Sequence, residues 1–185
     1  MFWLTVLAAF FAIAIVVAYN RLVRSRNRVD AAWSDIDVQL QRRYDLVPQL
    51  VEAVKHYGSY ERATLDAVAE LRAVAMLRTG VGERGDAEDK LGESLGRLIA
   101  LAESYPDLKA NKNFLELQAE LVETENYLQF ARRYYNGSVR DYNTLVEIFP
   151  VNFVASSFGF GAREFFQKAA DDVANVPAVN FGSVE

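Results

Sequence analysis

The chain has 185 residues, a formal net charge of -5, ordinary apolar content and no cysteine. That length accommodates one domain with extensions. The acidic balance excludes the basic footprint that nucleic-acid binding requires, and the missing cysteine excludes disulfides, thiolate metal sites and cysteine nucleophiles.

Residues 1–19, MFWLTVLAAFFAIAIVVAY, carry no charge. About 18 apolar residues rising 1.5 Å each cover roughly 27 Å, enough to cross a bilayer core. A cleaved secretory leader would have a basic region ahead of a shorter apolar run, with small residues at its end. Here no Lys or Arg precedes the run, and Val16, Val17, Ala18 and Tyr19 make a poor cleavage site. An uncleaved transmembrane anchor is therefore predicted, with Trp3 and Tyr19 near the two interfaces that amphipathic rings favour. Arg21, Arg24, Arg26 and Arg28 follow on one side only. The positive-inside bias then predicts Met1 outside and the large C-terminal part in the cytoplasm.

Residues 20–28 are expected to form a basic juxtamembrane stalk, because neither Gly nor Pro interrupts them. From Val29 the apolar positions fall at Val29, Trp33, Ile36, Leu40, Tyr44, Val47, Val51 and Val54, the three-and-four spacing of one helix face. That register fails at Gly58 and Glu61, and a new one begins at Leu65, Val68, Leu71 and Ala75. Gly58 as a stop and Ser59 as an N-cap suit a tight turn; one continuous helix over 29–77 that changes face is the competing arrangement. Residues 79–89, with three glycines, are expected to be a flexible connector, since no strand precedes them and no Gly-Lys-Ser/Thr follows. Leu91, Leu95, Leu98, Ala102 and Tyr105 mark a shorter helix stopped at Pro106. Residues 112–148 are expected to form one long helix, with Phe114, Leu117, Leu121, Leu128, Tyr135, Tyr142, Leu145 and Phe149 keeping one stripe for about ten turns, on the order of 55 Å. Phe149-Pro150 ends it, because the residue before Pro resists the α region.

These lengths stack best as an all-α architecture: an N-terminal transmembrane helix (1–19), the stalk (20–28), an antiparallel up-and-down four-helix bundle (29–166) and an extended or disordered tail (167–185). The last long helix then returns beside the first, which puts Phe149, Phe153, Phe158 and Phe160 low on the bundle near the bilayer surface.

No constellation has the chemistry of an active site. His56 is the single histidine; with only Glu52 ahead of it at the wrong spacing it supplies no diiron or zinc set, so catalytic, metal and cofactor sites are all expected to be absent. Asp35, Asp37, Arg42, Arg43 and Asp45 cluster on the first long helix, and Arg132, Arg133, Arg140 and Asp141 lie on the facing part of the last. They are expected to form an inter-helix network that sets helix pairing and register. Pro48 lies inside the stripe and deletes a bond to the Tyr44 carbonyl, so a kink between Tyr44 and Pro48 is expected; it either curves the helix around its neighbours or exposes that carbonyl as a polar docking point. Tyr135-Asn136 and Tyr142-Asn143 repeat one heptad apart, and are expected to tie the last helix to the charges of the first.

Several stretches together resemble the LemA family: YNRLV at 19–23, RNRV at 26–29, AWSDIDVQL at 32–40, Arg42-Arg43 and DLVP at 45–48. In the second half ARRYYN at 131–136, VRDYN at 139–143, Phe149-Pro150 and Gly159-Phe160 match as well. The resemblance implies a single-pass membrane protein whose soluble part is an antiparallel four-helix bundle, with some relatives in the magnetosome membrane and no catalytic residues to carry over. The expected function is non-enzymatic: a scaffold at the cytoplasmic membrane face that holds a protein partner or another copy of itself. The alternative is a membrane-anchored sensor binding a small ligand or lipid headgroup beside the Pro48 kink, against Arg132 and Arg140.

Overall fold

The computed structural model describes residues 1–57 and 62–166. Every regular element among them is helical: α1 (Phe2–Lys55), α2 (Arg62–Leu77), α3 (Val81–Ala102), α4 (Pro106–Lys109), α5 (Lys112–Glu147) and α6 (Val151–Ser157).

α1 runs unbroken through Pro48, a length of about 80 Å at 1.5 Å per residue. Its first part is long and apolar enough to cross a membrane, and its most apolar window is not buried against protein. Beyond it the helix has one buried face: Val29, Ile36, Leu40, Tyr44, Val47 and Val54 are in the core, with Trp33 and Val51 half-buried at its margin. The core begins lower than the periodicity from Val29 suggested. Leu22 is fully buried, so the basic stretch 20–28 is not a bare stalk but the lower end of the packed body.

α1 packs chiefly along α5, α2 packs on α1, and α3 packs on α2. Contacts between α1 and α5 fall in a regular order. Trp33 meets Tyr135, Arg42 meets Glu123, and Tyr57 accepts from Asn111, so the partner number on α5 drops as the number on α1 climbs. Leu65, Val68 and Ala75 of α2 and Leu91, Leu95, Leu98 and Ala102 of α3 fill the other side of the core. Asn111 caps α5, its side chain accepting from Phe114 N at 3.2 Å, which satisfies one of the open amides of the first turn.

Two expectations are corrected. Residues 79–89 are not a connector: only the short link around Gly80 separates α2 from α3, and the glycine-rich stretch is helical from Val81. Long-range contacts override its weak propensity, since Arg84 pairs with Asp37 at 2.7 Å and Glu88 is completely buried. Nor does Phe149 continue the core stripe of α5, for its ring is 78% exposed. α1 and α2 are separate elements, ending at Lys55 and starting at Arg62; the turn expected at Gly58-Ser59 and the tail 167–185 lie outside the described residues.

α6 closes with Gly159 in the left-handed region at φ 72°, which lets Phe160 N reach back to Ala155 O at 2.9 Å. The chain then climbs the seam between α1 and α5 as an extended strap to Phe166.

Candidate interaction site

Beneath the surface lies an ionic cluster that fixes how α1, α3 and α5 sit together. Arg43 is 1% exposed and Glu88 is fully enclosed; they pair at 3.2 Å between Nη1 and Oε2. The Arg43 Nε stands 2.9 Å from Oε1 of Glu125 on α5, and the hydroxyl of Tyr44 donates to the other Glu88 oxygen. Burial raises the Glu88 carboxyl above the ordinary glutamate range, against the pull of the Tyr44 hydroxyl and Arg43. Burial, then the Glu88 carboxylate, raises the Tyr44 phenol far above its usual value. A side chain of this bulk fits because α3 presents Gly92: a Cβ there would lie 2.8 Å from Arg43 Nη2.

The remaining charges of α1 find partners other than those expected. Asp37 pairs with Arg84 of α3, Arg42 with Glu123 of α5 at 2.9 Å, and Asp45 accepts from Gln41 on its own helix. Asp35 lines a surface groove described below. Arg132 pairs with Asp89 of α3 at 3.1 Å, and Arg140 with its neighbour Asp141 at 3.6 Å. Arg133 lies over the Phe130 ring, 4.7 Å from its centre. The structure therefore does not bring Arg132, Arg133, Arg140 or Asp141 onto the charges of α1.

The two Tyr-Asn pairs also have unexpected partners. Asn143 both donates to Arg163 O at 2.9 Å and accepts from Arg163 N at 2.8 Å. Asn136 accepts from Phe166 N at 3.0 Å, and the Tyr135 hydroxyl donates to Glu164 O at 2.9 Å. Tyr142 is buried in the core. These side chains serve as surrogate strand partners for the strap, whose extended backbone has no sheet to join. Arg163 adds an ion pair to Asp30 at 3.1 Å, and the Phe166 ring packs on Trp33.

Pro48 lines a groove with Glu52, His56 and Asn111, in which neither Arg132 nor Arg140 takes part. The Tyr44 carbonyl that Pro48 leaves open is met by Arg72 of α2. Of the basic cluster, Arg26 lies over the Phe160 ring at 5.2 Å, while the side chains of Arg21, Arg24 and Arg28 are exposed.

On the outer side of the α1–α5 seam α5 carries a second apolar stripe that the core periodicity does not include. Tyr127, Phe130 and Tyr134 are 49%, 62% and 55% exposed, and Val38 of α1 beside them is 63% exposed. They share one face of α5 by their three-and-four spacing, displaced one residue from the core positions Leu128, Ala131 and Tyr135. With Asp35, Gln39 and Ala131 they form a shallow groove of about 330 Å³. The Gln39 side-chain oxygen is enclosed there and has no donor within the protein. An apolar aromatic centre with Asp35 and Arg133 at its rim is the composition of a protein-binding surface. Among the described residues no cluster of His, Cys, Asp and Glu is arranged to hold a metal ion.

Comparison with known proteins gives the chain relatives. The model of the LemA family matches residues 32–181. Magnetosome protein MamQ 2 of Paramagnetospirillum magneticum is 26% identical over 184 residues, covering 85% of this chain and 68% of the relative. Magnetosome protein MamQ of Magnetospirillum gryphiswaldense is 25% identical over 189 residues, covering 88% and 70%. Protein LemA of Metamycoplasma hominis is 25% identical over 149 residues, covering 80% and 68%.

Proposed function

The chain belongs to the LemA family, and from that premise we propose that it is a membrane-anchored protein-interaction module. In this reading α1 crosses the bilayer and α1, α2, α3 and α5 form an antiparallel up-and-down four-helix bundle. The bundle presents the aromatic face of Tyr127, Phe130 and Tyr134 to a protein at the membrane surface. Anchoring is supported by the apolar first part of α1 and by relatives named for the magnetosome. The bundle topology is supported by the falling order of α1–α5 contacts and by the short links between successive helices.

One observation carries the interaction role: three neighbouring aromatic rings on a rigid helix are exposed to solvent although the same helix buries a full stripe beside them. Monomeric soluble surfaces rarely keep such a patch uncovered. The ionic cluster and the strap hold α1 against α5, so the face is a fixed surface and not an adaptable loop. Nothing in this role needs a reacting group, and we assign the chain no enzymatic activity.

The test is the size of the assembly extracted from membranes in mild detergent. Wild-type protein is expected in a complex larger than one chain. The variant Phe130→Glu, Tyr134→Glu is expected to run as a single chain with unchanged unfolding temperature, because neither side chain is in the core. An unaltered complex in that variant would refute the assignment. Orientation follows the basic residues after Tyr19, placing the bundle in the cytoplasm. An impermeant thiol reagent should then label Arg97→Cys only after the cells are opened; labelling of intact cells would reverse it.

A further inference from the structure

From residue 148 to residue 162 the chain carries no charged side chain, and α6 occupies the middle of this run. It lies beside the membrane-crossing part of α1. Phe153, Ser157 and Phe158 line one wall of an apolar groove of about 330 Å³, and Phe11, Ala14 and Ala18 of α1 line the other. Phe11 lies about 12 Å along the helix from Tyr19, so this groove reaches well past the interfacial level that Tyr19 marks.

The outward surface of α6 suits hydrocarbon and not water. Phe149, Phe153 and Phe158 are 78%, 64% and 57% exposed. Both serine hydroxyls of the helix and the side-chain oxygen of Asn152 are closed on its own backbone. Ser157 Oγ donates to Phe153 O at 2.7 Å, Ser156 Oγ to the same oxygen at 3.2 Å, and Asn152 Oδ1 accepts from Phe153 N at 3.0 Å. A bilayer core imposes that requirement, since it offers no water to satisfy a polar group. At the upper edge the Tyr19 ring meets Phe158 and Phe160 edge-on, with centres 5.0 and 5.7 Å apart, and Arg26 sits over Phe160. Aromatic rings topped by a cation are what the headgroup region collects.

We propose that α6 is a second membrane-embedded element: it enters the leaflet on the bundle's side, alongside α1 to the level of Phe11. Phospholipid acyl chains cover Phe149, Phe153 and Phe158 and fill the groove between the two helices. This rests on α1 being the transmembrane anchor. It differs from a bundle merely resting on the headgroups, because the body is then fixed to the bilayer through both α1 and the end of α5.

The experiment uses the full chain in vesicles of phosphatidylcholine and phosphatidylglycerol, with an environment-sensitive fluorophore on single cysteines at Ile13, Phe153, Ser157 and Phe130. Nitroxide-labelled lipid is expected to quench the probes at Ile13, Phe153 and Ser157, with blue-shifted emission, and aqueous iodide to quench the probe at Phe130. Iodide quenching at Phe153 and Ser157 equal to that at Phe130, with Ile13 still lipid-quenched, overturns the proposal and leaves the anchor standing. Loss of lipid quenching at Ile13 overturns the anchor and α6 insertion together. Protection of Phe153 and Ser157 from both quenchers would mean that a protein covers α6, and also overturns it.

Discussion

Arg72 of α2 donates from Nε to the main-chain oxygen of Tyr44 at 2.7 Å, and Pro48 is the reason that oxygen is open. A proline four residues on has no N–H to give it and would ordinarily weaken the helix. Here the orphaned carbonyl becomes the point where α2 docks, so a local defect in α1 specifies a tertiary contact.

This coupling is measurable. Arg72→Met should cost about 1.5–3 kcal/mol, the value of a hydrogen bond from a charged donor to a part-buried acceptor. Pro48→Ala restores the helical donor and should rescue the Arg72→Met variant more than it stabilises the wild type. A double-mutant cycle by denaturant unfolding in detergent should give a coupling of about 1 kcal/mol or more; strictly additive changes would separate the two residues.

The buried pair Arg43–Glu88 should respond asymmetrically. Arg43→Met leaves a carboxylate enclosed without its cation and should cost about 3–5 kcal/mol, whereas adding Glu88→Leu should recover most of that loss. The pH dependence has a definite sign. Burial raises the folded-state pKa of Glu88 above its ordinary value near 4.5, so its protonation favours the folded state. That contribution is complete below the unfolded value and is lost as pH rises through the raised folded value. Unfolding of Glu88→Gln followed upward from pH 4.5 should lack this decline, and a profile parallel to the wild type would contradict it.

Two glycines on α3 should behave oppositely. Gly92→Ala drives a methyl against the Arg43 guanidinium, which Glu88 and Glu125 hold in place, and should lower stability by about 1–2 kcal/mol. At Gly96 an added Cβ meets nothing within 4 Å, so Gly96→Ala should raise stability by about 0.5–1 kcal/mol through helix propensity alone. Thermal unfolding of the two variants side by side decides it.

Asn143 should matter for the strap and not for the bundle. Asn143→Ala removes both bonds to Arg163 and should increase hydrogen exchange at residues 160–166 by about 5- to 30-fold, on the order of 1–2 kcal/mol of local opening, with α1 and α5 protection unchanged. Unchanged exchange in the strap would show that the Arg163–Asp30 and Phe166–Trp33 contacts suffice.

The helices were legible where a single apolar stripe dominates. The steps from Val29 to Val54 and from Phe114 to Leu145 identify one buried face each, and α5 ends within a residue of where Phe149-Pro150 implied. The segment 79–89 was not legible, because its helicity depends on Asp37 and Arg43, residues more than a helix away in sequence. Charge partners were equally hidden: spacing shows that Arg43 lies near the core but not that Glu88 and Glu125 converge on it. The asparagines of the two Tyr-Asn pairs bind backbone groups of the strap, which no side-chain pattern encodes. The aromatic face did have a signal, in the spacing of Tyr127, Phe130 and Tyr134, but it runs one residue ahead of the core stripe and is masked by it.

The claim that this face binds protein is tested most directly by photo-cross-linking in living cells, with benzoylphenylalanine placed at Phe130 or, outside the aromatic face, at exposed Arg97 of α3. A discrete cross-linked protein adduct is expected from position 130 and none from position 97. Adducts equal at both positions, or absent from both, would contradict it.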